Sequence, residues 1–284
     1  MESTISDASR FQSFSPSALD RRSSDRRVRP DGDSLYYDAS GSRGAPSDFY
    51  RARMERSPAI CALSDQSQKR IAATYAVAAL GFATTTGIAL VAGPALLAVT
   101  PGVLLGISIG SCTASFVSAI TLPRATPHSL TEKIAWGTLV ASFGVLLAVP
   151  AALLGSTIVL QAAIITVGVT AAMSLFAYLA PTNTFARLGA PLLAGMVGLT
   201  GVGLASLVMP AAWPITAALH TVDIYGGIAL FAAYIGFDAQ VVASNAEAMS
   251  DQDFSAPQQS AGLYIHMINI STRLMEALAQ NKKR

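Results

Sequence analysis

Charge is scarce in this 284-residue chain outside its first 70 positions. Lys, Arg, Asp and Glu make up 13% of the residues, and 22 of these 36 side chains precede residue 71, whereas soluble domains carry about 25% charged residues. No such side chain lies between Arg70 and Arg124, between Lys133 and Arg187, or between Arg187 and Asp223. These gaps exceed the ~18 apolar residues that indicate a membrane span. The deficit argues against a soluble enzyme or a nucleic-acid-binding protein and predicts a polytopic membrane protein.

Two further features are missing. No apolar segment precedes residue 71, which argues against a cleavable secretory signal. The only cysteines are Cys61 and Cys112, too few for a disulfide framework. We therefore expect two reduced, unpaired thiols.

The first 69 residues differ in composition from the rest of the chain. They are rich in Ser, Arg, Asp and Gly, a composition that cannot bury a core, so we predict a disordered or extended tail. Ten basic residues in positions 1–60 are offset by nine acids, whereas mitochondrial presequences are poor in acids. This balance weakens the case for a presequence, so we interpret the tail over 1–69 as either a targeting or a partner-binding segment, and 70–284 is the expected membrane domain.

Apolar runs in the membrane domain are divided by charged and turn-forming residues. They predict an all-α, seven-transmembrane-helix bundle with spans at 71–92, 96–121, 134–155, 158–180, 188–209, 220–243 and 260–280. Pro101 and Pro150 lie where they would kink a helix. Glycines at 102, 106 and 110 allow close helix packing, either within the chain or against a second copy, so the oligomeric state stays open.

Basic residues alternate between the loops. Arg70 precedes span one, Arg124 and Lys133 flank the second loop, and Arg187 lies in the fourth, while the odd-numbered loops contain no Lys or Arg. Because basic residues are retained on the side of insertion, this pattern places the N-terminus in the matrix or cytosol. The basic C-terminus at 282–284 is an exception for an odd number of spans.

Ionisable side chains at membrane depth indicate function by default. Asp223 and Asp238 lie on span six about 22 Å apart, so they cannot chelate one ion together. On span seven, His266, Asn269 and Arg273 share one helical face. A polar face on a helix among apolar helices should point into the bundle, so span seven is expected to be the central helix and to supply the partner of Asp238.

Structural roles remain open for each of these residues. Asp238 could cap the end of span six, and His266 could be a satisfied core histidine. Arg273 could snorkel to the interface or neutralise Glu276, three residues further on.

The last two spans also carry a family resemblance. Its segments are Ile224-Tyr225-Gly226-Gly227-Ile-Ala-Leu-Phe231, Phe237-Asp238-Ala-Gln240, Asn245-Ala246-Glu247 and Leu263-Tyr264-Ile-His266-Met-Ile-Asn269-Ile. They resemble the C-terminal signature of the Bax inhibitor-1 (transmembrane Bax-inhibitor-motif) family, and of its mitochondrial branch in particular. The resemblance extends over about residues 68–284 and does not cover the tail.

The resemblance implies a seven-helix fold, pH-sensitive calcium leak or calcium/proton exchange, and a link to apoptosis regulation. For the mitochondrial branch it implies cristae organisation and cytochrome c retention. The family's proton-sensing gate is a pair of aspartates on helices six and seven. Asp238 matches the first, whereas His266 stands at the second. Tyr264, Asn269 and Arg273 are expected to orient the pair or to form a latch.

The histidine changes the charge of the site. Two carboxylates share a proton and attract divalent cations when both ionise, whereas an Asp238–His266 pair is neutral when the imidazole is protonated and −1 when it is not. Calcium prefers several hard oxygen ligands. We therefore expect Asp238 to bind calcium weakly at most, and proton-linked behaviour to persist.

Two functions follow from these patterns. The first is a proton-linked calcium or cation leak or exchanger of the mitochondrial inner membrane that supports membrane integrity, and the alternative is a structural or assembly protein of that membrane. We expect no enzymatic activity, no cofactor other than calcium as a transported ion, and no nucleic-acid partner. The expected partners are the lipid bilayer and cristae or respiratory-chain complexes bound through 1–69. An endoplasmic reticulum or Golgi membrane is the alternative location.

Overall fold

All regular elements in the described part of the chain are helices. The computed structural model describes residues 63–181, 184–210 and 213–282. The helices are α1 (Asp65–Leu97), α2 (Pro101–Thr121), α3 (Leu130–Leu154), α4 (Ser156–Leu179), α5 (Gly189–Val208), α6, and α7 (Ala256–Lys282). Helix α6 comprises Pro214–Thr221, a π-helical turn at Val222–Gly226, and Gly227–Ala248. The predicted all-α class is confirmed for these residues, and Cys61 and nearly all of the predicted tail lie outside them.

Local sequence signals explain several helix boundaries. Ser64 caps α1 by accepting a hydrogen bond from the Ser67 N–H. Ser129 caps α3 in the same way. Pro101 is the first residue of α2, where its missing N–H costs nothing, so the kink predicted there is wrong. Gly155, at φ 88°, separates α3 from α4, because a positive φ is readily adopted by glycine.

Six helices are long and apolar enough to cross a membrane. Among the described residues these are α1 to α6. Outward-facing side chains on them are large, apolar and exposed, for example Val91, Phe116, Ile164 and Val208. An apolar surface of this extent is typical of contact with lipid, so the chain is a multi-pass membrane protein. Helix α7 is not among the six, because polar side chains lower its hydropathy.

The last helix nevertheless contacts four other helices. It packs against α1, α3, α4 and α6. Leu263, Tyr264 and Ile270 are fully buried on it, and within the described residues it contributes no large exposed apolar side chain.

The start of α1 and two connections meet at one end of the bundle. At the start of α1, Arg70 donates to the carbonyls of Ala246 and Met249 at 2.7 Å. From α7, Gln258 donates to the Ala125 carbonyl of the α2–α3 connection, also at 2.7 Å. This end therefore gathers the start of α1 and two even-numbered loops, as the basic-residue pattern requires. The side of the membrane that it faces stays a prediction.

Two carboxylates tie this end together. Glu132 is buried and accepts hydrogen bonds from the His128 N–H and the Ser255 hydroxyl. Asp251 is exposed and forms a 2.5 Å ion pair with Arg70. Hydrogen bonds from Arg70 and, secondarily, from a glutamine on α1 hold the pKa of the Asp251 carboxyl below its usual value. These contacts join the α6–α7 connection to α1 and α3.

Candidate functional site

Asp238 and His266 meet across the contact between α6 and α7. Residues 249–255 connect the two helices and bring them together antiparallel, over a much shorter loop than the predicted spans imply. Oδ2 of Asp238 lies 3.3 Å from Nε2 of His266, and the two side chains are 20% and 11% exposed. This is ion-pair distance when the imidazole is protonated. The structure thus brings together the two residues that the sequence singles out, while their role stays a prediction.

Gly262 makes room for the Asp238 carboxylate. It lies one helical turn before His266, so both face α6 from the same side of α7. A Cβ on Gly262 would overlap Oδ2 of Asp238 and would lie 3.1 Å from its Cγ. The carboxylate therefore rests on the bare backbone of α7 beside the imidazole. Gly262 was not among the predicted site residues, although its four-residue spacing from His266 was an available signal.

Aromatic rings of α6 flank the imidazole. Tyr234 stacks on His266 with 4.8 Å between ring centroids, and the Phe231 centroid lies at 5.6 Å. Oδ2 of Asp238 and Nδ1 of His266 are buried, and neither has an aligned hydrogen-bond partner among the described residues. Buried polar atoms are usually hydrogen-bonded. The Asp238–His266 pair is an exception to this rule, because its atoms are close together but no aligned hydrogen bond joins them.

Arg273 forms a second polar contact nearer the far end of α7. Its guanidinium donates to the Asp223 carbonyl at 2.9 Å and to the Asp223 carboxylate at 3.1 Å. It also donates to the side-chain oxygen of Asn269 at 3.3 Å. The ion-pair partner of Arg273 is thus Asp223 rather than Glu276, the residue suggested by sequence spacing. Asn269 thus hydrogen-bonds with this arginine and with the Ile265 carbonyl, and among the described residues it forms no hydrogen bond with Asp238 or His266.

A second glycine permits this contact. Asp223 belongs to the π-helical turn of α6, and a Cβ on the following Gly227 would overlap the Arg273 side chain. The guanidinium carbon also lies 5.0 Å from the centroid of the Phe231 ring, a distance typical of a cation–π contact. Phe231 therefore touches both Arg273 and His266, which lie two helical turns apart on α7.

Tyr264 is fully buried on the side of α7 that contacts α1 and α3. Its hydroxyl lies 2.6 Å from Oγ1 of Thr85, and because Thr85 donates to the Val140 carbonyl, Tyr264 is the donor in this bond. Its ring packs edge-on against Trp136, with centroids 5.3 Å apart. Tyr264 thus ties α7 to α1 and α3, and the orienting role predicted for it has no support in these contacts.

The donor atoms at the pair suit a proton better than a calcium ion. No cluster of three or more His, Cys, Asp or Glu side chains with metal-ligand geometry occurs among the described residues. One carboxylate and one imidazole supply few of the six to eight oxygen ligands that calcium takes. They do supply two groups that can exchange a proton at short range.

Comparison with known proteins places the chain in a family. Residues 67–283 match the family described as Bax1-I, inhibitor of apoptosis-promoting Bax1. The chain belongs to this family, and the membership predicted from its C-terminal motifs is confirmed. The growth hormone-inducible transmembrane protein of Rattus norvegicus is 28% identical over an alignment of 218 positions, which covers 74% of this chain. The chain spans 62% of the length of that relative.

Proposed function

We propose that the protein is a proton-linked cation leak or exchanger in which Asp238 is the ion and proton group and His266 its titrating partner. The observation that carries this proposal is the 3.3 Å approach of the two side chains inside the bundle. Ionisable residues at membrane depth commonly serve proton and ion pathways. Membership of the Bax1-I family is consistent with this function.

The charge of the pair would depend on the proton. With the imidazole protonated the pair is neutral overall, and the carboxylate is held by its ion pair. When the proton leaves, the site carries one negative charge that attracts a cation. Histidine ordinarily changes charge between about pH 5 and 8, so acidification would close the site to cations and alkalinisation would open it.

Calcium would be a weakly held passing ion and not a resident ligand. Replacing His266 by Asp adds a second carboxylate and restores the aspartate pair that the family resemblance implies. We therefore expect His266→Asp to raise calcium flux. Unchanged or lower flux in this variant would count against the charge argument.

The seven-span topology is part of this proposal. Helix α7 would be the central span, since it packs against four helices and presents no large exposed apolar side chain among the described residues. The inner mitochondrial membrane is the proposed location, with a role in its integrity and with residues 1–69 as the segment that binds cristae or respiratory-chain complexes. Imaging a tagged protein would separate this membrane from the endoplasmic reticulum and the Golgi. We also propose that the protein is not an enzyme.

A structural role in the same membrane is the second candidate. It is favoured by the single carboxylate at the pair, which is a poor calcium site. In that case the pair would be a remnant that stabilises the contact between α6 and α7.

Flux measurements in proteoliposomes distinguish the two functions. Wild type, Asp238→Asn and the control Asp253→Asn would be compared between about pH 5.5 and 8. Asp253 is an exposed loop carboxylate, so its loss should leave flux unchanged. Flux that vanishes only in Asp238→Asn supports a transporter. No flux from folded wild-type protein at any pH would refute the transport proposal and favour the structural role.

A further inference from the structure

Helix α4 carries a line of hydroxyl groups along its inner face. Thr166, Thr170, Ser174 and Tyr178 follow one another at intervals of four residues, so they lie on one side of the helix. The two threonines and the serine are buried, and so is the hydroxyl oxygen of Tyr178. Twelve residues of helix span about 18 Å. The line, here called the hydroxyl track, therefore covers more than half the thickness of a bilayer core of about 30 Å.

One end of the track lies at the level of the Asp238–His266 pair. The side-chain amide of Gln240, two residues after Asp238, donates to the Ala177 carbonyl of α4 at 3.0 Å. Ala177 also packs against Ala239 in a buried apolar cluster. The segment of α4 from Ser174 to Tyr178 is therefore beside the turn of α6 that carries Asp238.

The other end lies deeper along α7. Ala162, one turn before Thr166, packs in a second buried cluster with Met275. Met275 lies nine residues beyond His266, which is about 14 Å along the helix. The track thus runs beside α7 from the level of the pair toward the level of Arg273.

Tyr75 of α1 meets the end of the track that lies beside Asp238. Its hydroxyl donates to Oγ of Ser174 at 2.9 Å, and its ring meets that of Tyr178 edge-on with centroids 6.2 Å apart. Tyr75 therefore adds a third hydroxyl at the end of the track that is beside the turn of α6 carrying Asp238.

Helix packing alone does not account for these hydroxyls. Thr166 donates to the Ala162 carbonyl of its own helix at 2.8 Å, the usual way in which a buried threonine is satisfied. Oγ1 of Thr170 and the hydroxyl of Tyr178 have no hydrogen-bond partner within the described residues. A buried hydroxyl left unpaired costs about 1–3 kcal/mol, whereas valine and phenylalanine would fill the same space without that cost.

We propose that the hydroxyl track is a proton path that supplies the Asp238–His266 pair. This inference rests on the proposed function, because it names the route of the proton that the pair would exchange. Side chains four residues apart on a helix have Cβ atoms about 5–6 Å apart, a gap that one water molecule bridges. At each step an oxygen gains a proton from one neighbour and passes its own to the next, so one O–H bond forms and one breaks with no net charge left behind.

Several titratable groups surround the end of this path. Asp238 is faced by His266 from α7, while Tyr234 lies one turn earlier on its own helix. Tyr75 of α1 lies at the same end of the track, where it donates to Ser174. Tyr178 of α4 contacts Tyr75 through its ring. A path to the pair should change how fast protons reach these groups and should leave their equilibrium unchanged.

The experiment is a laser-triggered pH jump on purified full-length protein. The infrared carboxylate band of Asp238, identified by its loss in Asp238→Asn, would report proton binding at the pair. Thr170→Val and Tyr178→Phe remove one hydroxyl each at constant shape, and Thr170→Ser keeps the hydroxyl. Thr200→Val is the control, because Thr200 lies on the exposed face of α5 and donates to its own helix.

We expect protonation to slow by about tenfold or more in Thr170→Val and Tyr178→Phe, with an unchanged pH midpoint and with normal rates in Thr170→Ser and Thr200→Val. A tenfold change corresponds to about 1.4 kcal/mol in the barrier. Unchanged rates in both variants, or a shifted midpoint at a normal rate, would overturn the proposal. If Thr170→Val does not fold, Tyr178→Phe alone decides by the same criteria.

This readout separates the path from the transport proposal, since it needs no flux. Transport that depends on Asp238, together with normal protonation rates in both hydroxyl variants, would refute the path and leave the transporter. Slow protonation in the variants of a protein that transports no ion would refute the transporter and leave the path.

Discussion

Replacing Gly262 by alanine should displace the Asp238 carboxylate from His266. The added Cβ would overlap Oδ2 of Asp238 and would lie 3.1 Å from Cγ and 3.4 Å from Oδ1. The overlap involves the carboxyl group of a short side chain on a packed helix, so α6 must shift or the carboxylate must rotate. Either response lengthens the 3.3 Å contact with His266.

Two opposing contributions set the expected stability. Alanine is favoured over glycine in a helix by about 1 kcal/mol, and overpacking a filled site costs about 1–3 kcal/mol. Gly262→Ala should therefore be neutral or destabilised by up to about 2 kcal/mol. Gly168→Ala on α4 is the matched control, because a Cβ there meets nothing within 4 Å. The difference in unfolding free energy between the two variants measures the cost of the overlap and should be about 1–3 kcal/mol.

The assay pairs unfolding in mixed detergent micelles with flux at several pH values. Gly262→Ala should unfold more readily than Gly168→Ala and should lose the pH dependence of flux, whereas Gly168→Ala should keep both properties. Equal stability and equal pH dependence in the two variants would refute the claim that Gly262 positions the carboxylate.

Other contacts give further expectations. Gly227→Ala should be less stable than Gly226→Ala by about 1–3 kcal/mol, because a Cβ at Gly227 overlaps the arginine packed on it while one at Gly226 has room; equal unfolding midpoints would contradict this. Glu132→Ala should destabilise by about 1–3 kcal/mol, since the buried Ser255 hydroxyl and the partly buried His128 N–H lose their acceptor; calorimetry showing a wild-type midpoint would argue otherwise. The lowered pKa of Asp251 means that its contribution to stability is present above about pH 4 and is lost as pH falls through the native pKa. Asp251→Asn should flatten that acid limb of a thermal-melt series, and an unchanged limb would exclude the Arg70 contact as its cause.

The apolar runs and the rarity of ionisable residues were enough to predict the helices and the pair. Asp238 and His266 stand out because little else can ionise within the last two apolar segments. Their proximity follows from the short connection between α6 and α7. The predicted spans are shorter than α1 and α6, since hydropathy falls at a membrane surface while helical hydrogen bonding continues to the next cap.

The glycine contacts and the hydroxyl track could not be inferred from these patterns. Gly227 and Gly262 gain their importance from the side chain that the opposite helix places on them, which depends on tertiary register. Thr170 and Ser174 hardly interrupt an apolar run, so the span over 158–180 looks uniformly suited to lipid. The signal that marks the track in the sequence is the four-residue spacing of its hydroxyl-bearing residues inside that span.

The two polar contacts between α6 and α7 are built in the same way with the helices exchanged. Asp238 of α6 rests on Gly262 of α7, and Arg273 of α7 rests on Gly227 of α6. Sliding α7 by one residue in either direction would bring the Cβ of Ala261 or of Leu263 against the Asp238 carboxylate. The two close approaches therefore fix one register between α6 and α7. The helices cannot slide along each other, and they can lose these contacts only by moving apart. Because both contacts lie on one helix pair, a separation that releases Asp238 also loosens Arg273.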